Sequence, residues 1–344
     1  MTSLLRVATG GTQTTLQDLG RFGYQRFGLP VAGALDPFSL RLANALVGND
    51  PAAAAIEILG HGPTFEVDAE SVRVAFTGSH AGFEVNGEEA TIVPSYRSHT
   101  VYRGERLAVR AMPDSQVGYL AVEGGFEIEP VLGSLSTYTR AGIGGFGGRA
   151  LRGGDALPLT LPRASERTER RLAAPPSIGH ECAIRLILGP QHEAFTREAV
   201  ETLLTSTFTV SRDVDRMGMR LDGPTLEHSG GFNLVSDGIA TGCIQVPGSG
   251  QPIVLLADHQ TTGGYPKIGS VISADIPLLG RRRPGDNIRF KEVSVPQAEA
   301  ARRSAERDIL QAIKSIADAP PLRGIDLDCL YNRNLISGVI DAWD

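Results

Sequence analysis

The sequence predicts a mainly β protein made of two tandem β-rich halves, a few short helices and a C-terminal helix, and three observations carry that prediction. From Ala54 to Val122 short apolar segments follow one another, AAIEIL, TFEV, VRVAFTG, FEV, ATIV, RLAVR and VGYLAV, separated by turn residues such as Asn86-Gly87 and Pro113-Asp114. That spacing leaves no room for crossover helices. Two similar strings, Gly62-Pro63-Thr64-Phe65-Glu66 and Gly223-Pro224-Thr225-Leu226-Glu227, each lie downstream of an Asp, Arg, Gly cluster (Asp18, Arg21, Gly23 and Asp215, Arg216, Gly218), as a duplicated domain would leave them. After Pro296 the pattern changes, and Ala301, Ala305, Ile309, Ala312 and Ile316 line one face of a helix that Pro320 and Pro321 are expected to stop.

The chain has 344 residues, more than one ordinary core accommodates, and its 41% hydrophobic content suffices for two. With 33 basic against 39 acidic residues the net charge is -6, which argues against a binder of nucleic-acid backbones. No apolar run approaches a membrane span, and the start MTSLLRV lacks the charged and apolar regions of a signal peptide, so a cytoplasmic protein is expected. Cys182, Cys243 and Cys329 are far apart and lack metal-type spacing, which suits reduced thiols.

In chain order, Leu4 to Thr9 reads as a strand and TTLQDLGRFGYQRFGLPVAGALDP as a long ordered loop, because Gly and isolated charges interrupt any period. A helix then begins at Asp36, a capping residue, with Pro37 in its first turn, Phe38, Leu42 and Leu46 on one face, and Gly48-Asn49 at its end. The string GIGGFG at Gly142 to Gly147 fits the dinucleotide pattern GxGxxG, but GRALRGGD follows it in place of a helix, so it reads as a tight loop. Pro158 to Pro176 is charged and proline-bearing and reads as a linker. The expected units are residues 1–160, a linker 161–176, a second domain 177–295, and a helix and tail 296–344.

Groups that bind or react concentrate between Ser236 and Asp286. Two buried strands, Cys243 to Val246 and Ile253 to Ala257, lead into Asp258, His259, Gln260, Thr261, Thr262, Gly263, Gly264, Tyr265, Pro266 and Lys267 before a third apolar run at Ile268. Paired glycines let a ligand approach the main chain, and the carboxylate, imidazole, amide, phenol and ammonium supply donors and acceptors. An ordinary solvent-facing hairpin has a similar composition. The chain has no GxxxxGK[ST], GxSxG or HExxH string, so P-loop nucleotide binding, serine hydrolysis at an elbow and zinc proteolysis are unsupported. His61, His80, His99, His180, His192 and His228 are scattered and read as surface or structural; His259 alone sits in the loop.

The strings GCIQVPGSGQPIVLLAD, QTTGGYPKIG and SADIPLL resemble the signature of the biotin-dependent carboxyltransferase family, which includes the C-type subunit of 5-oxoprolinase, allophanate hydrolase subunit 2 and KipA. Gln17, Asp18, Arg21, Asp36, Asn44 and Glu57 resemble that family's amino-terminal pattern, and GSLSTYTRAGIGGFGGRAL resembles its GSxSTYxRAGxGGxxGRxL segment, which adds Ser136, Thr137, Tyr138 and Arg140. The resemblance implies two cyclophilin-like β-barrel domains and a subunit of an ATP-dependent 5-oxoprolinase, active in complex with subunit-A-like and subunit-B-like (KipI-like) proteins. ATP would be used by the complex, and biotin would not be attached here, since no MKM segment is present. Within that resemblance Lys267 is expected on an anionic or carbonyl oxygen, and Asp258 and His259 in proton handling or orientation. Gln260, Thr261, Gly263, Gly264 and Tyr265 are expected in substrate positioning, together with the amino-terminal residues, Tyr138 and Arg140. Two alternatives stay open: carboxyl transfer to a urea-like acceptor with a separate biotin carrier, and a KipA-like regulator that binds a kinase inhibitor.

Overall fold

A computed structural model describes residues 3–87, 90–177 and 182–322; Cys329, Tyr331, Trp343 and His180 lie outside them. In the first half, strands fall into two antiparallel sheets packed face to face. One runs in the order Ala156–Pro158, Leu4–Thr9, Thr64–Asp68, Arg106–Val109, Phe83–Asn86, Ala90–Val93; the other in the order Gln13–Gln17, Ala55–Leu59, Val117–Val122, Ser71–Thr77, Ser98–Tyr102. Alternation sets their inner faces: Leu5, Val7, Phe65 and Val67 point into the core between the sheets. Ser71–Thr77 and Val117–Val122 are buried on both faces instead. Val74, Phe76 and Leu120 face the inter-sheet core, whereas Ala75, Tyr119 and Ala121 face a helix laid across the outside.

That helix is α1, Pro37–Val47. Its start is local chemistry, since the Asp36 carboxylate accepts from Ser39 N at 3.1 Å and Pro37 stands where no amide donor is needed, and Gly48 closes it at φ 79°. α2 spans Arg197–Thr205, α3 Ile276–Gly280 and α4 Val295–Lys314. The second half closes into a seven-stranded barrel in the order Ile184–Leu188, Lys267–Val271, Cys243–Gln245, Ile253–Leu255, Gly218–Asp222, Thr207–Val214, Asn287–Glu292, completed by a parallel pairing of the first and last. Leu40, Leu46 and Tyr119 of the first half belong to the same apolar cluster as Leu186, Phe208, Ile244 and Leu279 of the second, so α1 is packed between the halves. Among the described residues no helix is long and apolar enough to cross a membrane.

Several local readings changed on folding. Gln13–Gln17, of which Thr14–Gln17 was expected in a loop, is a strand paired with Ala55–Leu59, and its Thr14, Thr15 and Gln17 are buried despite their polarity. α2 was not anticipated, although Thr196 caps it and Ala199 and Leu203, four residues apart, form its buried face. α4 starts at a capping box between Ser294 and Gln297 but ends at Lys314, before the two prolines, because Ile316–Asp318 pairs with Arg170–Leu172. The residues between the halves are thereby held in place, with Arg73 also bonding the Ser165 and Arg167 carbonyls at 3.1 and 2.9 Å. The two GPT strings do not occupy equivalent elements: Thr64 opens a strand, whereas Thr225 follows one. The likeness of the halves lies in their β architecture.

Ile309 is the residue of α4 that is buried, at 2% exposure. Ile309→Ala is expected to cost about 2–4 kcal/mol, the usual range for emptying such a site. The check is a lowered urea midpoint with an unchanged m-value.

Candidate functional site

A tight turn between the strands Thr207–Val214 and Gly218–Asp222 sets the first part of the site. The Asp215 carboxylate accepts from Met217 N at 2.8 Å and Gly218 N at 3.2 Å, and the neighbouring Arg216 side chain is buried at 2% exposure. Its Nε and Nη2 donate to the two oxygens of Asp258 at 2.9 and 2.8 Å, Nη2 also donates to Gly33 O at 2.7 Å, and Nη1 donates to Glu57 Oε1. Glu57 Oε2 accepts from Tyr119 OH at 2.6 Å and Leu35 N at 2.9 Å. The Tyr119 oxygen accepts from Asp36 N at 2.8 Å, and Asp36 pairs with Arg281 Nε at 2.7 Å. Two arginines of the second half thus meet two carboxylates of the first and one of their own, all out of water. Burial works against the Arg216 charge, but Glu57 and Asp258 outweigh it and raise its pKa further. Burial and the adjacent Glu57 hold Tyr119 well above its ordinary range, so it stays a donor.

The other amino-terminal residues do different work. Asp18 accepts from Gly20 N, Ser134 Oγ, Ser136 Oγ and Leu135 N at 2.5–2.8 Å. Arg21 donates to the Val131 and Ser136 carbonyls at 3.0 and 2.8 Å, and Gln17 Nε2 to Thr137 O at 3.1 Å. Thr137 Oγ1 donates to Leu16 O at 2.9 Å. Together these groups clamp the Val131–Thr137 loop. Gly144, at φ 72°, packs so tightly there that a Cβ would lie 2.2 Å from Ser136 O and 2.6 Å from Arg21 Nη2. Asn44 donates to Ala53 O at 2.7 Å and accepts from Asn49, which ties the end of α1. Tyr138 pairs through its backbone with Ile143, and Arg140 reaches across to the Met217 sulfur.

Beyond Asp258 the loop turns on His259, which is fully buried, with Nδ1 2.6 Å from Gln260 O and Nε2 3.2 Å from Thr241 Oγ1. Both ring nitrogens are engaged and Asp258 is held by Arg216, so this geometry supports orientation by the two residues over proton handling. Thr262–Gly263 pairs with Asp237–Gly238 to form a small flap, and Ile239 N donates to Thr261 O at 3.0 Å. Gln260 and Tyr265 are exposed, and a Cβ on Gly264 would lie 3.0 Å from Leu234 O. At the far end Lys267 is 1% exposed, with Nζ 3.3 Å from Asp237 Oδ2. Gln191 accepts from Lys267 N at 3.1 Å and places its amide 3.4 Å from the same Asp237 oxygen. Gln245 sits opposite Lys267 in the barrel wall.

Glu57, Asp36 and Asp258 are therefore brought together, whereas Asp18, Arg21, Gln17 and Asn44 serve neighbouring loops and Lys267 closes a separate cluster. Reading for site residues missed Arg216, Arg281, Asp237, Gln191 and Gln245. Arg216 stood in the Asp, Arg, Gly cluster and Gln245 in the GCIQVPG string, so both were in view without a partner to give them meaning. Among the described residues no His, Cys, Asp and Glu group is placed to hold a metal ion.

Two outcomes follow from this geometry. Arg216→Ala leaves two buried carboxylates without their cation and is expected to cost about 3–5 kcal/mol in urea unfolding. Arg216→Lys, which keeps the charge but not the fork, is expected to fall between. Burial lowers the His259 pKa from its ordinary 6.5, so the unfolded chain binds the proton more readily than the folded one. Stability is then full at neutral pH and declines as pH falls below about 6.5. His259→Gln should flatten part of that decline in melting temperature; His99, lowered by burial as well, supplies another part.

Against known proteins, the family model described as carboxyltransferase domain, subdomain A and B, matches residues 27–292. The C-type subunit of 5-oxoprolinase from Escherichia coli is 37% identical over 304 residues, 88% of this chain and 96% of that protein. Its counterpart from Haemophilus influenzae is 38% identical over 307 residues, 89% of this chain and 96% of that protein. The crystal structure of the Kluyveromyces lactis urea carboxylase superposes with a TM-score of 0.81 at 27% identity, over 92% of this chain and 30% of that one. A match across most of the chain, joined to the observed barrel and loop, establishes that the chain belongs to the family of carboxyltransferase domains with subdomains A and B.

Proposed function

We propose that this chain is the C-type subunit of an ATP-dependent 5-oxoprolinase, which opens the lactam of 5-oxo-L-proline to L-glutamate in the cytoplasm together with subunit-A-like and subunit-B-like proteins. The observation that carries the reading is the near end-to-end likeness to two proteins named as this subunit of 5-oxoprolinase. In the reaction, water oxygen bonds to the ring carbonyl carbon, the ring C–N bond breaks, and the departing nitrogen takes a proton to become the amine of glutamate. An amide carbonyl is a weak electrophile, so activation of its oxygen and fixed donors around the developing charge lower the barrier. Lys267 supplies a buried cation for an anionic or carbonyl oxygen, Gln260 and Tyr265 present exposed polar groups on the same loop, and Asp258 and His259 fix that loop.

The sequence offers no P-loop string for ATP, and within the Gly142–Gly147 loop Gly144 is packed on Ser136 and Arg21 and Gly145 on Thr137. Nucleotide handling is assigned to the partner proteins. Their docking is favoured by exposed Phe22, at 68%, and Val131, at 40%, on two loops that Arg21 joins. A second reading, carboxyl transfer to a urea-like acceptor from a separate biotin carrier, is favoured by the likeness to the urea carboxylase structure.

The deciding experiment co-purifies the chain with its subunit-A-like and subunit-B-like partners and follows ATP-dependent glutamate formation from 5-oxoproline. Lys267→Ala is expected to lower turnover by about 10²-fold or more within an intact complex. Unchanged turnover discards the role of Lys267, and an intact wild-type complex with no turnover discards the 5-oxoprolinase reading in favour of carboxyl transfer.

A further inference from the structure

The Lys267 cluster holds more donors than its acceptor satisfies. Lys267 Nζ and Gln191 Nε2 both approach Asp237 Oδ2, at 3.3 and 3.4 Å, the long end for hydrogen bonds of this kind. Gln245 is directly opposite Lys267 on the adjacent strand, so the two side chains stand on the same face of the barrel wall. It is 2% exposed, and its Nε2 has no hydrogen-bond partner. That amide lies against the Gly263 main chain, where a Cβ would come within 2.5 Å of it. A buried unpaired donor is costly, and native proteins keep few of them.

The acceptor these donors do have is placed differently. The Asp237 side chain is 58% exposed and sits on the two-residue flap strand Asp237–Gly238, next to the exposed Leu234 and Val235. Its other oxygen accepts from Gly238 N at 2.7 Å, a bond within its own turn. A buried ammonium is thus served by an exposed carboxylate at long range, beside a buried amide with nothing to bond.

We propose that Asp237 is a built-in place-holder for the carboxylate of a ligand. A ligand carboxylate would displace Asp237, one oxygen accepting from Lys267 and Gln191 and the other from Gln245. No covalent step is involved. The inference rests on the 5-oxoprolinase reading only in naming the ligand: it assigns Lys267 to the substrate carboxylate and leaves the lactam carbonyl to other groups.

The test is calorimetric titration of the full chain with 5-oxo-L-proline, with the carboxylate-free lactam 2-pyrrolidinone and with N-acetylglycine. Removing the competing charge in Asp237→Asn, which keeps the side-chain shape, is expected to tighten 5-oxo-L-proline about fivefold, the value of one exposed ion pair. Gln245→Leu is expected to weaken it about tenfold, as loss of a hydrogen bond to a charged group does. Binding of 2-pyrrolidinone should not respond to Asp237→Asn. Unchanged or weaker carboxylate binding in Asp237→Asn, with an unchanged melting temperature, overturns the proposal, as does failure of wild type and variant to bind any of the carboxylates. If Asp237→Asn tightens N-acetylglycine while the intact complex does not cleave 5-oxoproline, the carboxylate seat stands and the enzyme reading falls. Cleavage by the complex without tightening in Asp237→Asn gives the reverse.

Discussion

A guanidinium removed from water is tolerated only where its charge and its N–H groups are met, and Arg216 is met by Glu57, Asp258 and the Gly33 carbonyl. Those partners come from the loop before α1, a strand of the first half and the start of the polar loop in the second. Apolar packing around α1 holds the halves together but admits small rotations at little cost. A planar fork with fixed acceptors does not, because a shift that lengthens one bond misaligns the others. This ion pair and its neighbour, Arg281 with Asp36, therefore help fix the relative placement of the halves, alongside Arg41 with Glu306 and Gln116 N donating to Arg281 O.

The same pairing decides what the polar loop can do. Asp258 is its first residue, locked by two bonds, and His259 is locked in turn by Gln260 O and Thr241. At its other end Lys267 is part of the barrel wall. Gln260, Thr262 and Tyr265 reach solvent between two fixed ends. A loop anchored this way presents its groups in a set geometry, which is what positioning of a small ligand requires.

Much of the architecture was legible because its causes are local. Asp36, Pro37 and Gly48 bracket α1 by capping, and the alternating segments from Ala54 onward became strands at nearly the expected positions. The strand Gln13–Gln17 was hidden because its buried side chains are polar, paid for by bonds such as Gln17 to Thr137 O that only the assembled half supplies. Asp18 and Arg21 stood out as reactive types, yet they bind backbone groups of the Val131–Thr137 loop, which has few ladder bonds of its own; nothing in their spacing separates that duty from ligand binding. Arg216 was visible but its meaning was not, since residues 57, 216 and 258 meet only in three dimensions. Gln245 and Gln191 read as ordinary amides for the same reason.

The scaffold is shared by proteins named for 5-oxoproline and for urea, so the fold does not choose between them, and the chemistry at Lys267 bears only on which ligand group would sit there. Urea is neutral and 5-oxoproline carries a carboxylate, but the carboxylated biotin that would serve a urea-like acceptor carries one as well. A neutral acceptor at Lys267 would leave the buried ammonium dependent on Asp237. An anionic ligand supplies the counter-charge itself and also an acceptor for the unpaired amide. On electrostatic grounds the cluster suits a carboxylate better than a neutral amide, and that preference is independent of the sequence likeness that first suggested a lactam.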